Sequence, residues 1–132
     1  MLVGEKHSIV ERRERQEELE QIRIEFGQLL RRERLSRTSY TISRLSEAVG
    51  VSAKYLSEIE RGLKLPEDGL IKKLADAIGT CELELFKTAK RVPYSLRKEL
   101  EEDVLLLEVM FKMINTAPRR RRKLFDKLME IL

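Results

Sequence analysis

The residues best suited to chemistry in this chain lie in one stretch, LSEAVGVSAKYLSEIERG, from Leu45 to Gly62. Two short apolar-patterned segments are separated there by Gly50, Val51 and Ser52, and the second carries Lys54, Ser57, Glu58 and Arg61 on its outward side. At helical spacing these side chains offer a row of hydrogen-bond donors and acceptors, and the plainest arrangement among them is a solvated i,i+4 ion pair of Lys54 with Glu58. Their chemistry is recognition. No glycine-rich phosphate loop, HExxH or GxSxG motif occurs. Cys81 is the only cysteine and His7 the only histidine, so one chain holds neither a disulfide framework nor a Cys/His metal cage. No enzyme chemistry, cofactor or metal is expected. Cys81 reads as a small apolar residue in a capping loop, and His7 as a solvated member of a charged leader.

The elements that must hold this row follow from composition and periodicity. The 132 residues are 42% hydrophobic, 38% charged and only 5% aromatic. Long runs of Leu, Glu, Lys and Arg with three prolines imply an all-α fold. Residues 1–25 read as a charged helical leader. The interval from Glu11 to Glu18 lacks the apolar positions of a coiled-coil seam. From Phe26 the pattern tightens through Leu29, Leu30 and Arg34, and the polar stretch Ser36 to Ser39 ends that helix. Thr41 caps a second helix from Ile42 to Val49, Ser52 a third from Ala53 to Arg61, and Gly62 stops it. After Pro66 a fourth helix bears Leu70, Ile71, Leu74, Ala75 and Ile78, and CELELF makes a short fifth. Residues 26–87 thus form a five-helix domain, 88–94 a joint, and 95–132 a helical hairpin of two segments, Ser95 to Ile114 and Arg119 to Leu132, about the turn NTAP.

An apolar-faced helix, a tight turn with glycine where φ must be positive, and a second apolar-faced helix describe a helix-turn-helix. Leu45, Val49, Val51, Leu56 and Ile59 form its wedge. Here Leu45 to Ser52 resembles the Leu-Ala-x-x-x-Gly-Val-Ser of the phage Cro/repressor-type (XRE) DNA-binding domains. Tyr55 to Gly62, followed by Pro66, resembles that family's Tyr-Leu-Ser-x-Ile-Glu-x-Gly with a proline four residues on. The resemblance covers about residues 26–86. It departs at Ser46, which stands for the usual alanine, and at Ile42, where the family often carries a glutamine that touches phosphate. The resemblance implies that Glu60 pairs with an arginine of the first helix; Arg34 is the matching position and Arg31, one turn earlier, the alternative.

In helix-turn-helix docking the second helix of the motif enters the major groove and its outward side chains meet base edges. Those are Ala53, Lys54, Ser57 and Glu58. Lys54 can donate to guanine O6/N7, Glu58 can accept from cytosine N4, and Ala53 can touch a thymine methyl. Thr41, Arg44, Ser52, Arg61 and Lys64 flank them as phosphate contacts, with Tyr40 assigned to the core.

Charge agrees with an anionic partner. Residues 35–66 carry five basic against three acidic residues and residues 118–132 six against two, while residues 1–34 balance. The segment VLLLEVMFKMI with LFDKLMEIL carries more apolar residues than one amphipathic stripe needs, so Leu106, Met110, Phe111, Ile114, Leu124, Phe125 and Leu128 are expected to form a homodimer interface. Packing back on the chain's own domain is the alternative. No apolar run reaches membrane-spanning length and no signal-peptide region is evident, so a cytoplasmic protein is expected. The expected function is sequence-specific binding of double-stranded DNA by a dimeric transcriptional regulator, a repressor as the commoner outcome. Two alternatives stay open: an antitoxin-like or immunity-type regulator whose terminal helices clasp a protein partner, and an interaction module that has lost DNA binding.

Overall fold

A computed structural model describes residues 2–132, with side chains from Ser8 onward, and His7 lies outside those described side chains. Eight helices and no strand occur among the described residues: α1 (Leu2–Arg37), α2 (Ile42–Val49), α3 (Ala53–Glu60), α4 (Asp68–Ile78), α5 (Glu82–Thr88), α6 (Tyr94–Glu102), α7 (Val104–Ile114) and α8 (Pro118–Ile131). The chain divides into two compact units, residues 1–93 and 94–132.

In the first unit α1 is one helix of 36 residues, roughly 54 Å at 1.5 Å per residue. It runs unbroken through residues 25 and 26, where no proline or capping turn interrupts it. Its buried positions recur every four residues, Ile22, Phe26, Leu30 and Arg34, and this one face meets the domain. Phe26 and Leu30 join Leu45, Val49, Leu56, Ile59, Ile71, Leu74, Leu85 and Phe86 in a single core, with Val51 half-buried against it. Full burial of each large apolar side chain is worth about 1.5–3 kcal/mol.

Local chemistry sets the motif's ends. The Thr41 hydroxyl accepts from the Arg44 N–H at 3.2 Å and the Ser52 hydroxyl from the Tyr55 N–H at 3.1 Å, so each helix begins with a side-chain cap. Gly50 stands at φ 75°, and the Val51 N–H returns to the Ser46 carbonyl at 3.0 Å, closing the turn between α2 and α3. Ser46 is buried, yet its hydroxyl donates to the Ser43 carbonyl at 2.7 Å, so the serine leaves no unpaired polar group at the tight contact.

The second unit corrects the two-segment reading. Ser95 to Ile114 is two helices, because the Asp103 carboxylate accepts from the Leu106 N–H at 3.1 Å and starts α7 afresh. Pro118 starts α8, where a missing N–H costs nothing. Within this unit α6 packs on α7, whereas α7 and α8 form no closely packed hairpin. None of the three helices has a buried residue.

Candidate nucleic-acid interface

α3 is held to the scaffold at its C-terminal end by charge and by close backbone approach. Arg34 Nε donates to Glu60 Oε2 at 2.8 Å and Nη2 to Oε1 at 2.9 Å, a bidentate pair that ties α1 to α3. Arg34 Nη1 donates to the Tyr40 carbonyl at 3.0 Å, which also anchors the chain entering α2. The pair's side chains are only 8% and 4% exposed. The Glu60 carboxylate, first by this hydrogen bond and then by its charge, holds the Arg34 guanidinium above the usual arginine range against the opposing effect of burial.

Two glycines let the backbones meet. A Cβ on Gly27 would stand 2.6 Å from the Glu60 carbonyl oxygen and would also strike the Ile59 carbonyl. Gly62 lies at φ 76°, and a Cβ there would come within 2.9 Å of the Ile24 Cα. Gly27 was not among the residues singled out from the sequence; its only trace there is a glycine inside an apolar helical pattern.

The four outward positions of α3 fare differently. Ala53 and Lys54 are exposed to solvent, while Ser57 and Glu58 are half-buried. Glu58 does not pair with Lys54; its Oε2 meets Lys64 Nζ at 3.1 Å, and the Glu58 side chain is 15% exposed. Lys64 Nζ also lies 5.7 Å from the centroid of the Tyr55 ring. Lys64 sits in the loop after α3 and reaches back to it, a contact that helical spacing alone does not suggest. Thr41, Arg44, Ser52 and Arg61 are exposed around α3. Tyr40 is 37% exposed rather than in the core, because it belongs to the loop between α1 and α2 and serves through its carbonyl.

Arg31, Arg34, Ile42, Ser57, Glu60 and Arg61 line an open groove of about 270 Å³ between α1, α2 and α3. Arg34 and Glu60 cancel within it. Arg31 and Arg61 have no ion-pair partner among the described residues.

In the second unit Phe111, Ile114, Leu124, Phe125 and Leu128 are exposed and Leu106 and Met110 half-buried. Arg122 meets Asp126 at 3.5 Å. Among the described residues no group of His, Cys, Asp or Glu is arranged to hold a metal ion, and no helix is long and apolar enough to cross a membrane.

Comparison with known proteins sets a likeness beside this geometry. No curated protein matches the chain. Among solved structures, the clp gene regulator ClgR from Corynebacterium glutamicum is similar at 27% identity over 69% of this chain and 93% of that one. Its TM-score is 0.48. The family model described as a helix-turn-helix domain matches residues 25–86, a span consistent with the XRE type and running from the buried half of α1 to Phe86 of α5. The match covers 62 of the 132 residues and shows what this span is similar to, a helix-turn-helix domain.

Proposed function

We propose that this protein is a transcriptional regulator that binds double-stranded DNA in a sequence-specific manner as a homodimer, a repressor in its commonest mode, with α3 in the major groove. The observation that carries the reading is the charge of the α3 face once its ion pairs are drawn. Glu58 is matched by Lys64 and Glu60 by Arg34, which leaves Lys54 near the capped start of α3 and Arg61 at its C-terminal end as uncompensated positive charge. A net positive recognition face argues against the reading in which the fold has lost DNA binding. Ala53 and Lys54 are the base-reading positions by their exposure. Ser57 and Glu58 stand at the edge of that surface, and Thr41, Arg44, Ser52, Arg61 and Lys64 flank it toward the phosphates.

Dimerisation is assigned to the second unit. Its 39 residues bury no side chain within one chain, and units below about 40 residues rarely hold together without a partner surface. A two-fold pair of α3 helices about 34 Å apart would then read two half-sites. The same exposed apolar side chains suit a different protein partner, the antitoxin-like reading.

The test is selection from a pool of random duplexes at two salt concentrations, with wild type and Lys54→Ala. Enrichment of a two-fold symmetric site, altered at one symmetric position by the substitution, is the expected result. If retention is weak, unselective and absent at the higher salt, the specific reading fails, and a stable second polypeptide co-purifying with the chain would favour the partner reading.

A further inference from the structure

We infer that Arg31 and Arg61 grip a single phosphate of the DNA backbone between them, in the groove beside Ile42. This rests on the DNA-binding reading above and adds to it a residue of α1, Arg31, and a count of one phosphate for two arginines.

The groove's charge is the starting point. Four of its six lining residues are ionic, and two of those, Arg34 and Glu60, are spent on each other. Arg34 has committed Nε, Nη1 and Nη2 to Glu60 and to the Tyr40 carbonyl, so it keeps no free fork for a ligand. Arg31 and Arg61 therefore face one cavity as like charges without a carboxylate between them. An anion seated there meets two attractions and no unbalanced negative charge.

The shape suits an oxyanion. The groove is open and about 270 Å³ in volume, several times the roughly 30 Å³ share of one water. Ile42 makes one wall apolar and offers no side-chain hydrogen bond, whereas the Ser57 hydroxyl offers one donor. Two guanidinium groups supply planar forks, the geometry that fits phosphate oxygens in pairs. Arg61 caps α3, so a phosphate held there lies beside the helix proposed to enter the major groove.

The count of phosphates makes the inference testable. Each phosphate neutralised on duplex DNA contributes about 0.9 to the slope of log affinity against log salt. With the duplex that wild type enriches from a random pool, the slope is measured for wild type, Arg31→Gln, Arg61→Gln and the double variant. Thermal unfolding of each variant serves as the folding control, since both side chains are exposed. Expected is a loss of about 0.9 per protomer in the double variant, not about 1.8, with each single variant between. Neutral methylphosphonate substitution along the duplex should then reveal one position per half-site that weakens wild type about tenfold and leaves the double variant unaffected. A loss near 1.8, or two separate sensitive positions, would mean that the arginines hold different phosphates and overturn the shared grip. Unchanged slopes with intact wild-type binding would remove both arginines from the DNA contact and leave the DNA reading standing. If wild type enriches no duplex at all, the DNA reading itself fails and the grip with it.

Discussion

The Cα of Gly27 faces the end of α3 so closely that a Cβ would stand 2.6 Å from the carbonyl oxygen of Glu60. The same Glu60 is held through its carboxylate by Arg34, two turns further along α1. One residue of α3 is thereby seated on α1 by backbone contact and by charge. That double attachment sets how far α3 projects.

Replacing Gly27 by alanine tests the backbone half of this arrangement. Alanine favours a helix interior by about 1 kcal/mol, yet the methyl group meets two carbonyl groups that cannot rotate aside. Net destabilisation of about 1–3 kcal/mol is expected, read as a lower midpoint in urea unfolding followed by circular dichroism. A stabilised Gly27→Ala protein would show that the helices separate at no cost.

The charged half predicts a non-additive pattern. Arg34→Met or Glu60→Leu alone strands a buried charge and should cost about 3–5 kcal/mol, while the two together should recover much of that loss. Equal and additive losses in a double-mutant cycle would mean that the two side chains act independently.

The pair also has a pH signature. Because the Glu60 contact raises the Arg34 affinity for its proton, Arg34's contribution is fully present below arginine's ordinary range and is lost only as pH rises through the raised value. The stability difference between wild type and the Arg34→Met/Glu60→Leu protein should therefore stay level from about pH 7 to 10. A decline across that interval would refute the assignment.

Lys54 and Glu58, adjacent on the helix in sequence terms, are expected to separate in function. Lys54→Ala should change the preferred base at one symmetric position, with about 1–3 kcal/mol lost on the selected site. Glu58→Gln, which releases Lys64, should leave the base preference alone and alter stability by no more than about 1 kcal/mol. Loss of a cytosine preference in Glu58→Gln would return that carboxylate to the base-reading set.

For the second unit, Phe111→Glu or Ile114→Asp places a charge on an exposed apolar face. Weaker self-association by sedimentation equilibrium, with unfolding of residues 1–93 unchanged, is the expected outcome. Unaltered self-association would move the interface elsewhere.

Much of the first unit was legible because its signals are local. Thr41 and Ser52 before apolar periodic segments, Gly50 in the turn and Gly62 after α3 each act on neighbours a few residues away, and helix caps and turns are decided at that range. The all-helical class followed from the same propensities. The break at Asp103 was a local signal as well, hidden because an aspartate inside a charged run reads as solvated surface until its carboxylate is seen on the Leu106 N–H. What only the tertiary structure decided depends on how α1 crosses the end of α3. Periodicity places Gly27, Arg31 and Arg34 along one helix but cannot say that Gly27 touches the Glu60 carbonyl, that Arg34 rather than Arg31 takes the carboxylate the resemblance offered to either, or that Arg31 is left to share a groove with Arg61. Such partners lie some thirty residues apart, and their pairing is fixed by packing of the shared core rather than by any neighbour in the chain.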